Sequence, residues 1–450
     1  MRIGAIENGV KVSVRGLAVF LLPLIFFPQL LNGQGKELTL EEAVRMALVN
    51  NERALAADAR LSAAEARVAR ARSFFMPSLN AAGTYTRRPD EVTRIINDQR
   101  LVVQSFNALS GAATLNLTLF DSRSIPGLRQ VRSDKNAEQA ASAESKRQLA
   151  FEVSQAFLAT LGVEQVLEAS RRRFEFARQN LEAAGARYDA GLVSVNDVTR
   201  AELEFATAEM GVTQIKGRTE TTYLELGYLL DDSGIPGRTL VSPEFLIEAA
   251  GVDSVPAGEL IAEAQGRRLD LDALRWRAKA QRDLLMEPIL RWLPSLNLSS
   301  QYRYTNEAGL SGKTTTWNAG LTLNWAIFDG FARNADYGEQ KALVRIAELD
   351  VTNALRRVDI DVRNALVSLS SQRASLKEAE TAHEVAQKNA LETAALYRQG
   401  IASALQVADA NVRLFEAEVA FVGERYGLGL AYLNFEAALG LDPFGKEPQR

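Results

Sequence analysis

The sequence has no cysteine, a single histidine and few aromatic residues. Of its 450 residues, 7% are Phe, Trp or Tyr. The absence of cysteine excludes disulfides, thiolate metal sites, cysteine nucleophiles and an N-terminal lipid-anchored cysteine. Because His383 is the only histidine, the sequence also excludes a multi-histidine metal site and disfavours histidine-based catalysis.

An excess of charge of either sign is also missing. The 52 Lys and Arg residues and the 56 Asp and Glu residues leave a formal net charge of −4, which gives no support for nucleic acid as a partner. The sequence contains neither a GxxxxGK[ST] phosphate-binding loop nor paired metal ligands. We therefore predict that the protein is not an enzyme and has no cofactor.

The first 35 residues predict a secretory signal peptide. After a basic start, residues 16–31 form an uncharged and mostly apolar run, and small or polar residues follow it. The alternative is a transmembrane anchor. The run is about 16 residues, shorter than the roughly 20 that a helical span needs, and Pro23 and Pro28 interrupt it. We expect cleavage near residues 33–35.

The rest of the chain repeats itself once. The segment Pro-Ser-Leu-Asn that begins at Pro77 recurs at Pro294, an offset of 217 residues, and the Tyr-x-x-Gly segment at Tyr188 recurs at Tyr397, an offset of 209 residues. An ordered series of matches at nearly one offset indicates duplication. The larger offset at the first match means that the first repeat has additional residues between its two strand segments.

Each repeat is predicted to contain a helix, two strands, a very long helix, a turn and a returning helix. The predicted division is a signal peptide at 1–35, repeat 1 at 36–230, an irregular linker at 231–257, repeat 2 at 258–441 and a short tail at 442–450. The strands are predicted at about 78–87, 112–120, 295–305 and 315–327. The helices of repeat 1 are predicted at Thr39–Phe75, Gly127–Ala190 and Ser194–Leu230, and the later helices of repeat 2 at Ala332–Gln399 and Ser403–Leu439. Thr39 is the predicted N-cap of the first helix, because Glu42 three residues further on can complete a capping box.

The predicted strands alternate in polarity. In the strand at 295–305, Leu296 and Tyr302 share one face, and Asn297 and Gln301 share the other. A soluble antiparallel sheet with one wet face alternates in the same way. Strand length, the signal peptide and aromatic residues near the strand ends favour a transmembrane barrel instead. The predicted aromatic girdle comprises Tyr85, Tyr302, Tyr304, Trp317 and Trp325.

Four strands cannot close a barrel around water, since known single-chain barrels begin at about eight strands. Open strand edges cannot face lipid either, because their backbone groups would remain without hydrogen-bond partners. The barrel must therefore be completed by other copies of the chain. Cyclic symmetry permits two, three or more copies, and three would give 12 strands.

The predicted helix Ala332–Gln399 is too long for a compact domain, at roughly 100 Å. Val358, Val362 and Leu369 lie among apolar residues spaced by three, four and seven positions, as in a coiled-coil seam. Gly191 and Gly400 are expected to end the long helices and let the returning helices run antiparallel to them.

Together these features resemble the TolC family of outer membrane efflux proteins of Gram-negative bacteria. The resemblance rests on the signal peptide, the duplicated helix–strand–strand–helix order, Pro-Ser-Leu before the strands, Phe-Asp after them, and the two Tyr-x-x-Gly turns. It implies an α+β membrane protein, a homotrimer with a 12-stranded barrel in outer membrane lipid. A coiled-coil helical tunnel would cross the periplasm to an adaptor (membrane fusion) protein and an inner-membrane efflux or secretion transporter.

The resemblance also implies a gate at the tunnel entrance. Aligned from Gly400, the second of two acidic family positions is Asp409, whereas the first is Gln406, a departure. A latch tyrosine is matched by Tyr397 and its acidic partner by Asp197, so we expect a hydrogen bond between them. A basic residue that often completes the latch is replaced by Ala402. The alternative is that both aspartates only favour the helix dipole.

The two turns are the predicted contact with the adaptor, because they are short and carry apolar residues at the far end of the helices. The predicted contact residues are Tyr188, Gly191, Leu192, Val193, Ser194, Gly400, Ile401, Ala402 and Ser403. Two other functions remain open: a periplasmic coiled-coil structural protein, and an autonomous porin. The long helices argue against a porin, which needs only short periplasmic turns.

Overall fold

The structure is a computed structural model that describes residues 37–96, 99–250, 256–307 and 312–448. The predicted signal peptide lies outside these residues. The helices are α1 (Leu40–Asn50), α2 (Glu52–Ser73), α3 (Ser124–Asp189), α4 (Val195–Leu230), α5 (Glu244–Ala249), α6 (Ala257–Arg267), α7 (Leu269–Leu284), α8 (Met286–Leu290), α9 (Ala332–Arg398) and α10 (Ala404–Leu439). The strands are β1 (Ser78–Arg87), β2 (Val92–Ile96), β3 (Gln99–Gln104), β4 (Asn107–Phe120), β5 (Ser295–Thr305) and β6 (Thr315–Asn324).

The first helix begins as predicted but is broken once. Thr39 Oγ1 accepts a hydrogen bond from the Glu42 backbone N–H at 3.3 Å, which confirms Thr39 as the N-cap. The single helix predicted to reach Phe75 was wrong, because Asn51 has an extended backbone and separates α1 from α2. Its side chain caps α2 through the Arg53 N–H and donates to the Leu229 carbonyl, so the break also fastens this segment to the end of α4.

The four predicted strands form one antiparallel sheet in the order β1-β4-β5-β6. Opposed residues include Asn80 and Thr114 in β1 and β4, and Tyr302 and Trp317 in β5 and β6. β4 begins earlier than predicted and β6 ends three residues earlier. Every residue of β1 and β6 is exposed, and within the described residues neither strand has a partner on its outer edge. The sheet is therefore open on both sides.

Two further strands, β2 and β3, pair as a separate hairpin between β1 and β4. They are not among the strands predicted from the sequence. They occupy the additional residues that the first repeat was predicted to carry. Arg88 and Glu307 form an ion pair beside the base of this hairpin, and Glu307 also accepts from the Ser105 backbone N–H at 2.8 Å.

The two long helices, of 66 and 67 residues, each run about 100 Å at 1.5 Å per residue. α4 returns along α3, α10 returns along α9, and α3 also packs against α10 and α7. The predicted seam of α9 is confirmed, because Val358, Val362 and Leu369 are buried. Among the described residues, no helix combines the length and the apolar character that crossing a membrane requires.

The main hydrophobic core lies midway along the long helices. It joins α1, the middle of α3 around Phe157, and the last turns of α4 and α10. The linker was predicted to be irregular, but it contains a short 3₁₀ turn and the helix α5, whose Leu246 is fully buried in this core. Leu38 pairs with Leu240 of the linker in a parallel bridge. The linker thus covers the main hydrophobic core midway along the long helices.

Candidate functional site

The candidate site comprises the two turns at the end of the helices that lies away from the sheet. Gly191 and Gly400 have φ values of 71° and 78°, a left-handed conformation that favours glycine. In each turn the residue after glycine donates its backbone N–H back into the long helix, from Leu192 to the Arg187 carbonyl and from Ile401 to the Leu396 carbonyl. The Leu192 and Ile401 residues are 75% and 70% exposed, as the predicted apolar contact requires.

The two turns lie side by side, and residues of both line one cleft. Its walls include Val193, Ser194, Asp197, Tyr397, Ala402 and Ser403. Most of the predicted gate and contact residues are therefore brought together within one chain. Tyr188 is exposed and is not among the lining residues of this cleft. Asp409 lies further along α10 and is not among them either.

Each returning helix begins with a serine cap that engages the third helical residue. The Ser194 backbone N–H and Oγ donate to the Asp197 carboxylate at 3.1 and 2.8 Å. These hydrogen bonds lower the pKa of Asp197 below its usual value. In the second turn, the Ser403 backbone N–H donates to Gln406 Oε1 at 2.8 Å and Ser403 Oγ accepts from the Gln406 backbone N–H at 3.3 Å. Asp197 and Gln406 therefore have the same local role, a capping box.

The hydrogen bond predicted between Tyr397 and Asp197 is not formed. Tyr397 Oη is buried and has no hydrogen-bond partner among the described residues, while the Asp197 carboxylate is bonded to Ser194. The physical reason is local: Ser194, three residues earlier, holds Asp197 Oδ2 in the helix cap. The Tyr397 ring instead lies under a guanidinium, with Arg187 Cζ 4.0 Å from the ring centroid.

Asp409 has an ion-pair partner on its own helix. Arg413 Nε donates to its carboxylate at 2.9 Å, four residues further along α10. This hydrogen bond raises the pKa of Arg413. Since both side chains are exposed, the pair contributes little to stability. Any ring of Asp409 carboxylates formed by several copies of the chain would thus be accompanied by a ring of guanidinium groups.

The five predicted girdle residues are all exposed on or beside the sheet, but they divide between its two ends. Tyr85, Tyr302, Tyr304 and Trp317 lie towards the strand ends away from the helices, and Trp325 directly follows β6 at the helical end. The Trp325 indole N–H donates to the Trp292 carbonyl at 3.1 Å.

Further exposed aromatic residues lie at the helix–strand junctions and are not part of the predicted girdle. These are Phe74, Phe75, Trp292, Phe328 and Phe331. They flank the Pro-Ser-Leu and Phe-Asp segments, and this clustering was the available signal. With Trp325 they give the helical end of the sheet an aromatic band of its own, which is typical of a membrane interface.

Comparisons with known proteins agree with this architecture. The family model described as outer membrane efflux protein matches residues 43–230 and again residues 260–441. The outer membrane protein TolC of Vibrio cholerae is 26% identical over 422 residues, which cover 89% of this chain and 90% of that protein. A membrane protein from Pseudomonas aeruginosa has a TM-score of 0.76 at 21% identity, covering 91% of both chains. The Campylobacter jejuni CmeC outer membrane channel also gives 0.76, at 16% identity over 91% of this chain and 87% of that one.

Proposed function

Because the chain belongs to the TolC family of outer membrane efflux proteins, we propose that it is a passive channel-tunnel of the Gram-negative outer membrane. It conducts small molecules or proteins that an inner-membrane transporter and a periplasmic adaptor deliver to it. The exported material leaves through a barrel in the outer membrane. The chain itself performs no chemical reaction.

The open sheet is the observation that carries this proposal. β1 and β6 each have an outer edge without a partner strand among the described residues, and their residues are exposed along the whole strand. Backbone groups on such edges must be hydrogen-bonded in lipid. Pairing β6 of one chain with β1 of the next satisfies both edges, and three copies close a 12-stranded barrel.

A second observation supports assembly through the helices. α9 carries exposed Ile346, Ile360 and Val367, spaced by 14 and 7 residues on one face. This spacing is that of a coiled-coil seam whose partner helix lies outside the chain. The same trimer that closes the barrel places this face of α9 against the next copy. The coiled coils then form a continuous tunnel below the barrel.

The helices and the sheet argue against the two alternatives in different ways. An autonomous porin has no use for helices of 66 and 67 residues. A periplasmic coiled-coil protein has no reason to expose both faces and both edges of a four-stranded sheet, since such a sheet would aggregate in water.

Within this function, we assign the two turns to the periplasmic entrance. Exposed Leu192 and Ile401 contact the helical tips of the adaptor, and Asp197, Gln406, Tyr397 and Asp409 line or border the entrance. The two halves of the chain, 36–230 and 258–441, act as structural repeats around the tunnel. Six turns from three chains then surround one opening.

The test is made on protein extracted from outer membranes with detergent. We expect native mass spectrometry to give three chains and planar bilayers to give discrete channel openings. The double variant Leu192→Asp/Ile401→Asp should abolish export in cells while trimers remain in the membrane. Val49→Asp is the matched control, because Val49 is exposed on α1, far from the turns. A monomer that conducts ions, or unchanged export by the double variant, would contradict the proposal.

A further inference from the structure

One contact joins the last turns of the two long helices. Arg187 lies in the last turn of α3 and Tyr397 in the last turn of α9. The guanidinium of Arg187 covers the Tyr397 ring, with Cζ 4.0 Å from the ring centroid, and both residues are half-buried and line the cleft between the turns. A guanidinium at this distance from an aromatic face forms a cation–π interaction. The contact thus ties the first half of the chain to the second at the entrance.

The ring, and not the hydroxyl, is the part of Tyr397 that the chain holds. Tyr397 Oη has no hydrogen-bond partner among the described residues. Asp197 Oδ2 accepts hydrogen bonds from the backbone N–H and Oγ of Ser194, and Ala402, which also lines the cleft, has no polar side-chain atom. Arg187 is therefore the side chain through which the first half reaches Tyr397.

The contact is the last of a series that runs down α3. Gln165 donates to Tyr426 Oη at 2.8 Å, Arg172 forms an ion pair with Glu418, and Arg173 Cζ lies 5.0 Å from the Phe415 ring centroid. In each case a polar side chain of α3 holds a residue of α10. The contact of Arg187 with Tyr397 continues this series to the turns, except that Tyr397 belongs to α9 and not to α10.

The two halves differ at this position. At the offset of 209 residues, Tyr397 corresponds to Tyr188 and Arg187 corresponds to Leu396. Tyr188 is exposed in the chain, and Leu396 offers no cation to a tyrosine of another copy. The chain therefore carries one such contact rather than two, and it lies within the chain rather than between copies.

We propose that the stack of Arg187 on Tyr397 is the clasp that keeps the two turns of each chain together and so narrows the entrance. Its role at an entrance rests on the proposed function, whereas the clasp itself is a property of the single chain. Widening the entrance by separating the two turns of a chain requires the guanidinium to leave the ring. Loss of either partner favours the wider state.

Single-channel conductance in planar bilayers tests the role of the ring. Arg187→Gln and Tyr397→Leu should each raise the mean conductance several-fold, and the double variant should raise it no further, because both changes remove one contact. Tyr397→Phe should keep the wild-type conductance, since it keeps the ring. Arg178→Gln is the matched control: Arg178 lies on the same helix, and its ion pairs among the described residues are with Glu175 and Glu182 of that helix.

Two conductance results would overturn the clasp. If Tyr397→Phe raised conductance as much as Tyr397→Leu, the hydroxyl would be the latch. If Arg187→Gln behaved like Arg178→Gln, the guanidinium would have no role in closure.

A spin-label distance separates the clasp from the proposed function. The chain has no cysteine, so Leu192→Cys and Ile401→Cys introduce two unique labels on exposed positions of the two turns. Labelled chains are diluted with unlabelled chains so that only the distance within a chain is measured. Arg187→Gln should lengthen and broaden this distance, and Tyr397→Phe should not. A lengthened distance in a protein that forms no channel would support the clasp and refute the channel. An unchanged distance in a conducting protein would refute the clasp alone.

Discussion

α3 and α9 have nearly the same length and corresponding positions in the two halves of the chain, but their surroundings differ. α3 packs against α2, α4, α7 and α10, and Val153 and Phe157 in its middle are fully buried. α9 packs mainly against α10 and α7, and its other face exposes Val367. One copy of the duplicated helix is therefore an interior helix of the chain, and the other is an edge helix whose apolar face needs a neighbour.

The helix–strand junctions of the two halves also differ, but in the opposite sense. After β6, buried Arg333 donates to the Asp329 carboxylate at 2.7 Å and stacks on Trp292 with Cζ 3.9 Å from a ring centroid. After β4, Asp121 pairs instead with Arg123, two residues along the chain, at 2.8 Å. The same Phe-Asp segment is thus held by a long-range cluster in one half and by a local ion pair in the other.

The largest expected difference is between a substitution in the interior helix α3 and one in the edge helix α9. Val153→Asp should prevent stable folding of the chain, because Val153 is 0% exposed and an unpaired buried carboxylate costs at least about 4 kcal/mol. Val367→Asp should leave the helical circular dichroism intact, because Val367 is 67% exposed, but should prevent trimer formation in native mass spectrometry. Folded trimers of Val367→Asp would show that α9 is not an edge between copies.

A smaller effect is expected from making the two turns alike. Leu396→Arg gives the second half the counterpart of Arg187, placed to reach Tyr188 of the next copy in a closed trimer. A cation–π contact at an exposed site contributes about 0.5–1 kcal/mol, so we expect the mean conductance in planar bilayers to fall about two- to fivefold. Leu391→Arg, on the exposed side of α9 one and a half turns earlier, is the control. Equal effects of both variants would indicate a general effect of charge.

The sequence predicted what depends on local patterns. Thr39 as an N-cap and the buried seam of Val358 and Val362 follow from spacings along a single helix. The Asp409–Arg413 pair follows in the same way from a spacing of four residues, although it was not predicted. The contact of Arg187 with Tyr397 joins positions far apart in the chain. No local pattern specifies which distant side chains meet, so the family latch was assigned to Asp197 instead.

The smallest expected effect concerns a buried acid at the end of α10 whose counterpart at the end of α4 is not an acid. Glu436, in the last turn of α10, is 4% exposed and its Oε2 has no hydrogen-bond partner among the described residues. Burial raises its pKa above the usual value, while a hydrogen bond from Tyr432 opposes the rise, Asp442 adds to it and Arg267 opposes it. The residue at the corresponding position of α4 is Gly227.

The sign of the pH dependence follows from this raised pKa. The folded state binds the Glu436 proton more tightly than the unfolded state, so Glu436 favours folding most at low pH. This contribution is lost as pH rises from the usual carboxyl range through the raised pKa.

Glu436→Gln removes the buried charge, and we expect it to raise the free energy of unfolding at pH 7 by about 1 kcal/mol. Near pH 4 the variant and the wild type should unfold at similar temperatures, because Glu436 is then protonated in both states. Glu392→Gln is the matched control, since Glu392 is an exposed acid of α9 paired with Lys388 at 4.0 Å, and exposed pairs contribute little. The same gain for Glu436→Gln at both pH values would mean that packing, and not the buried charge, distinguishes the end of α10 from the end of α4.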